Sequence, residues 1–171
     1  MTSMKHFLCL CILVLVPCTA SAEQIVERMV GVWVGEGTVR PHGLDDPEKI
    51  RCKVNGELLS EVQVKFAGRC ATASGAGGFR LLVAQNEAGS LFAAQVRFAN
   101  SSADIDFKGD ISEEKITLSQ VKSIEESKRR LRSSLDLVVP QDADISLVNT
   151  VTDLDSGEQA QSLKILFVRQ N

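Results

Sequence analysis

The sequence predicts an all-β chain folded as an antiparallel closed β-barrel of about 8–10 strands with a short N-terminal helix. Three observations carry this expectation. Apolar and polar residues alternate with a period of two from residue 30 to the end, as in strands with one face buried and the other in water. Turn-forming residues punctuate that alternation at short, even intervals. The roughly ten segments so marked are too many for an open sheet of short strands, and closure into a barrel, or pairing into a sandwich, removes the exposed edges.

Residues 1–22 stand apart from the folding unit. Lys5 and His6 make a basic start, Phe7 to Val16 is an almost unbroken apolar run, and Ala20-Ser21-Ala22 offers a cleavage site before Glu23. That is the pattern of a secretory signal peptide, and its apolar run is shorter than the roughly 20 residues of a membrane span. Lipid attachment at Cys18 is disfavoured by the preceding Pro17. The expected division is a signal peptide over 1–22 and a single β-barrel domain over 23–171, periplasmic or secreted, with no transmembrane segment. Cleavage removes one lysine and no acid, so the formal charge moves from −3 to −4.

The elements follow in order. Glu23 to Met29 carries Ile25, Val26 and Met29 at helical spacing, enough for a short helix against one end of a barrel. A strand around Val32–Arg40 comes next. Ile50, Cys52 and Val54 share a face of the following strand, and Val62, Val64, Phe66 and Cys70 share a face of its neighbour. The turn between them is expected within Asn55–Ser60, where Asn55-Gly56 suits the positive φ of a tight hairpin. Gly75-Ala76-Gly77-Gly78 reads as a connection between strands rather than a phosphate loop, because no parallel strand or helix flanks it. Phe79, Leu81 and Val83 mark the next strand, and Phe92, Ala94, Val96 and Phe98 the one after. Alternation is clearest over Asp104 to Ile111. The last strands are Lys115–Lys122, Leu135–Val139, Ile145–Asp153 and Gln159–Arg169, with a hairpin at Asp155-Ser156-Gly157. Ser123–Ser134 combines a Ser123-x-x-Glu126 capping pattern with only two apolar residues, Ile124 and Leu131, and is expected to form a solvated helical insertion or a long hairpin tip.

Composition and motifs narrow the chemistry. With 44% hydrophobic and 24% charged residues in 171, the chain can bury a core of ordinary size and is no disordered tail. A formal charge of −3 without a basic stripe argues against nucleic acid as a partner. Three of the five cysteines fall in the signal peptide. Cys52 and Cys70 remain, facing the same way from neighbouring strands of an exported chain, so a disulfide is expected. It encloses 17 residues and stabilises by roughly 3 kcal/mol through the unfolded state. Two free buried thiols are the alternative.

After cleavage His42 is the one histidine, and there is no tyrosine. Nucleophilic catalysis of the Ser-His-Asp or Cys-His kind would rest on this loop residue. A single imidazole can hold haem iron, but a loop histidine beside Asp45 and Asp46 is expected to be solvated. Asp45, Asp46 and Glu48 lack the ligand spacing of a calcium loop. The expectation is therefore a non-enzyme with no metal and no cofactor. The basic run Lys128-Arg129-Arg130-Leu131-Arg132, preceded by Glu125 and Glu126, reads as a solvated face, with anionic head groups or an acidic partner as the alternative. Asn149 shares an inward face with Ile145, Leu147 and Val151, and its amide is expected to meet Gln85, Gln120 or Arg169, an ordered water or a ligand.

One stretch carries a family resemblance. Gly31-Val32-Trp33-Val34-Gly35-Glu36-Gly37-Thr38-Val39, directly after the helical turn, resembles the opening strand of calycin-type barrels, the lipocalin and fatty-acid-binding group. Gly31 and Trp33 fill the G-x-W positions, and Ile50-Arg51-Cys52 and Gly68-Arg69-Cys70-Ala71 resemble a family of small secreted bacterial proteins. The resemblance, over roughly residues 29–110, implies a barrel with tryptophan under its floor and a cavity above it.

Two functions follow as expectations. One is an exported envelope protein that binds or carries a small apolar ligand, with Trp33, Phe66, Phe79, Phe92, Phe98, Phe107 and Asn149 toward the cavity. The other is a protein-binding envelope factor, an inhibitor or an assembly accessory, whose barrel is filled and whose loops meet a partner.

Overall fold

The computed structural model describes residues 24–40, 46–86, 91–98, 104–112, 114–126 and 128–170, without the side chains of Leu91, Phe92, Phe98 and Glu126. The expected signal peptide over 1–22 and His42 lie outside the described residues.

A four-residue helix, α1 (Ile25–Arg28), precedes eleven strands: β1 (Gly31–Val39), β2 (Glu48–Ser60), β3 (Gln63–Ala71), β4 (Ala76–Gln85), β5 (Leu91–Phe98), β6 (Ile105–Ser112), β7 (Lys115–Gln120), β8 (Ile124–Glu126), β9 (Arg129–Val138), β10 (Ile145–Asp153) and β11 (Gln159–Gln170). Each pairs antiparallel with its neighbours. The order runs β10-β11-β1-β2-β3-β4-β5-β6-β7-β9, and β9 pairs back onto β10. Ten strands therefore close a barrel. The eleventh, β8, pairs with the start of β9 alone and extends the wall beyond the ring.

Alternation does what the pattern predicts: Ile50, Cys52, Val54; Val64, Phe66; Leu81, Val83; Ile116, Leu118; Leu135, Leu137; Ile145, Leu147; and Ile165, Phe167 all point into one core. At one end α1 plugs the barrel. Ile25, Val26 and Met29 are buried to 3% exposure or less, each contributing about 2 kcal/mol by leaving water. The Trp33 indole donates to the Met29 carbonyl at 3.0 Å, the Arg169 guanidinium stacks 4.6 Å over the Trp33 ring, and Arg169 also donates to the Arg28 carbonyl at 2.8 Å. Gly31 sits at φ +125°, a conformation open to glycine and strained for other residues, which lets the chain pass from the plug into the wall.

Two local expectations change, and a third is decided between its alternatives. Asn55-Gly56 is not a turn; both residues lie in the β2 ladder, opposite Ala67 and Phe66. A Cβ on Gly56 would run into the Met29 carbonyl oxygen, so glycine is there to let the plug cross the strand. The turn falls at Glu61-Val62, between the paired Ser60 and Gln63. Of the glycine-rich stretch, only Gly75 is in the connection, and Ala76, Gly77 and Gly78 belong to β4. Finally, Ser123–Ser134 forms no helix: it is the longer hairpin tip, with Lys128 at φ 66° in the turn. Arg129 to Leu131 are paired with β8 and Leu131 to Ser134 with β10, and these ladders outweigh a few i, i+4 ion pairs.

Candidate functional site

Burial is graded along the barrel axis. Toward the plug, Trp33, Val54, Val64, Phe66, Val83, Ile116, Leu118, Leu137, Ile145 and Phe167 are at 1% or less. Toward the opposite end inward residues have less cover: Ile50, Val96, Leu135 and Leu147 reach 8%, and Val39, Cys70, Phe79, Ile105 and Leu163 are half-buried, as Ile111 is toward the plug. Among the described residues a solid floor therefore gives way to a less covered apolar cup at the opposite mouth.

Phe66 and Phe167 meet edge-to-face with ring centres 5.4 Å apart and form the solid part. Phe107, at 4%, belongs to the same core, while Phe79 stands half-buried in the mouth. Trp33 lies at the far end beneath the plug rather than in the cup. Phe92 and Phe98 lie in β5, opposite Gln85 and Phe79 in the ladder, and their side chains are outside the described residues. Sequence reasoning left out Phe167; the alternation Ile165-Leu166-Phe167-Val168 carries it, but apolar residues on both faces hide which one points inward.

Cys52 and Cys70 are directly opposite in the β2–β3 register and are bonded, with Cα atoms 4.0 Å apart. Cys70 faces Gly77 across the next ladder, and a Cβ placed on Gly77 would meet nothing within 4 Å. The wall of the mouth is thus hollowed beside the disulfide.

Asn149 sits in the mouth at a β-bulge, where Ser162 is the extra residue between the pairs Asn149–Leu163 and Thr150–Gln161. Its Nδ2 donates to Ser162 Oγ at 2.7 Å, and Ser162 Oγ donates back to the Asn149 carbonyl at 3.4 Å. The expected partners are elsewhere. Gln120 Oε1 accepts from the Ser133 amide at 2.9 Å, satisfying the ladder where β7 leaves β9, and Gln85 and Arg169 lie at the plugged end. Alternation shows which face a side chain takes but not how far along the axis it lies. Ser162 and Leu163, with Thr38, Val39, Arg40, Pro47 and Gln161, line a rim recess of about 230 Å³.

Carboxylates clamp the rim. Asp104 receives a bidentate pair from Arg97, both at 2.6 Å, and a longer contact from Arg80 at 3.4 Å. Asp155 binds Arg130 through Nη2 at 2.6 Å, Nε at 2.9 Å and the backbone amide at 3.1 Å, tying the β8–β9 tip to the β10–β11 hairpin. Glu48 accepts from Ser74 Oγ at 2.9 Å. Hydrogen bonds from Arg97, Arg130 and Thr72 respectively are the largest cause holding each carboxyl below its ordinary range. The basic run is thus part of the rim: Arg130 is engaged, and Lys128 and Arg132 are exposed. Among the described residues no group of acids, histidines or cysteines could hold a metal ion, and no helix is long and apolar enough to cross a membrane.

No family model matches the chain, and no curated protein matches it. Solved structures share its fold. The crystal structure of Rv2717c from M. tuberculosis superposes with a TM-score of 0.62 at 13% identity, covering 89% of this chain and 99% of that one. EF1p2_mFAP2b bound to DFHBI superposes at 0.51 and 9% identity, covering 88% and 100%. At these identities the likeness is one of fold: this chain is similar to closed antiparallel β-barrels, one of which has been solved with a small molecule bound.

Proposed function

We propose that the protein is an exported, calycin-like barrel that binds or carries a small apolar ligand in its open half, periplasmic or secreted, rather than an enzyme. The observation that carries this reading is the burial gradient. The floor is packed and sealed by α1, whereas Val39, Phe79, Ile105 and Leu163 present half-exposed apolar surface at the mouth. Apolar lining in a concavity with few polar groups is the usual make-up of a small-molecule site. That a structurally similar barrel is known with DFHBI bound supports it, and the disulfide is compatible with an oxidising compartment outside the cytoplasm. Phe66 and Phe107 form the base of such a site, and Phe79 and Asn149 its wall.

The test is binding of prodan, a neutral solvatochromic naphthalene, to the chain from Glu23 onward. A blue-shifted, saturable emission that Phe79→Asp weakens supports the reading; no shift at any concentration overturns it. The protein-binding alternative is favoured by Val32, Leu166 and Val168, which are 40–49% exposed on the outer face of the paired β1 and β11. Aspartate at Val168 would abolish capture of a protein partner and leave prodan binding unchanged.

A further inference from the structure

Resting on the mouth as a ligand site, the geometry points to the chemical class of the ligand: we propose a neutral apolar molecule that carries a hydroxyl or N–H group, whose proton Asn149 Oδ1 accepts. Between the two rims, no described lysine, arginine, aspartate or glutamate takes an inward strand position. Arg40, the one cation lining the rim recess, is exposed at its outer edge, so a carboxylate or ammonium drawn further in would lose its water and find no opposite charge. The polar groups inside are amides and hydroxyls, and the Gln120 oxygen is engaged by the Ser133 backbone amide.

Asn149 Oδ1 is the exception in the mouth. It is enclosed and meets no hydrogen-bond donor, although the side chain around it is only half-buried. The two other glutamine oxygens in that condition, on Gln24 and Gln85, lie at the plugged end. Turning the amide over would replace one unmet acceptor with two unmet N–H groups, and would take the Ser162 hydroxyl away from the Asn149 carbonyl. The oxygen is therefore the group left for an incoming donor. Ser162, which the Asn149 amide meets, also lines the rim recess of about 230 Å³, so open space lies one side chain away from the oxygen.

Two matched sets of competitors test this against bound prodan at neutral pH: decan-1-ol, decyl methyl ether and decanoate; and 2-naphthol, 2-methoxynaphthalene and 2-naphthoate. In the wild-type chain the hydroxyl compound should displace prodan at about tenfold lower concentration than its ether, the worth of one buried hydrogen bond, with the carboxylate weakest. Asn149→Leu should erase the difference between hydroxyl and ether, each competitor being read against the variant's own prodan titration. Equal displacement by hydroxyl and ether in the wild type would mean that water or protein alone meets Oδ1, and tighter binding of the carboxylate would place a cation in the site; either overturns this inference and leaves the ligand reading standing. Absence of prodan binding overturns the ligand reading itself. The wild-type comparison decides the matter even if the leucine variant does not fold.

Discussion

Two glycines on inward faces make opposite demands on a side chain, and neither demand is visible in the letter G. Gly109 in β6 has the Thr117 carbonyl of β7 where its Cβ would stand, so the two strands approach too closely there for any other residue. Gly77 faces open space beside Cys70. Gly109→Ala should therefore destabilise the fold by about 1–3 kcal/mol, as overpacking does, whereas Gly77→Leu should stay within about 0.5 kcal/mol of wild type and narrow the mouth enough to weaken prodan. Thermal melts and a prodan titration read both. A Gly77→Leu variant that melts early would show that the mouth is packed there, and one that binds prodan unchanged would show that the ligand does not reach this wall.

At the scale of elements, hairpins are held in two ways. β2 and β3 are joined covalently, and because Cys52 and Cys70 face each other in register the bond needs no displacement of either strand. Replacing both with alanine should lower stability by about 3 kcal/mol through the freed unfolded chain and leave the circular dichroism of the folded protein unchanged. Alkylation of the unreduced chain from Glu23 onward in denaturant should label neither cysteine. The rim hairpins are instead held by charge. Asp104, Asp155 and Glu48 have folded pKa values depressed below their unfolded ones. The stability they add is thus fully present above the unfolded carboxylate range and is lost as pH falls through the depressed folded values. Hydrogen exchange should accordingly accelerate at β8–β9 and at the β5–β6 and β10–β11 ends below about pH 4, while the plugged end keeps its protection. Asp155→Asn should bring that loosening of the β8–β9 tip up to neutral pH. Uniform acceleration over both ends would remove the carboxylate clamps as its cause.

For the whole molecule, the described residues give the barrel one sealed end and one less covered end because the short helix directly precedes β1. Strand β1 starts directly beneath α1, and the plug is pinned from two distant places, by Arg169 of β11 and by the Val139 carbonyl after β9, which accepts from Arg28 at 3.4 Å. A chain starting at Val30 loses Ile25, Val26 and Met29 from the core and should melt at clearly lower temperature, since about 2 kcal/mol per buried side chain is large beside a total of roughly 5–15. Trp33 is the single tryptophan, so its emission should move to longer wavelength as the floor opens. An unshifted emission would mean that Arg169 and the strand ends seal the floor without the helix.

The sequence by itself determined the class of fold, the strand faces, the helix against one end and the cysteine pair, because each follows from a period of two or from local spacing, and a strand's alternation survives whatever it packs against. It misplaced the first hairpin turn, since Asn55-Gly56 has the chemistry of a turn and Gly56 is glycine for another reason, the crossing of Met29 overhead. It offered a helix as one reading of Ser123–Ser134 because local ion pairs are legible and pairing with β8 and β10 is not. The tertiary structure alone decided that β9 closes onto β10, that Arg169 covers Trp33, that Asn149 finds Ser162 through a bulge, and which inward residues are floor and which are mouth. These depend on shear and on contacts between residues up to 141 positions apart, and no pattern along the chain records how far up the barrel axis a side chain will stand.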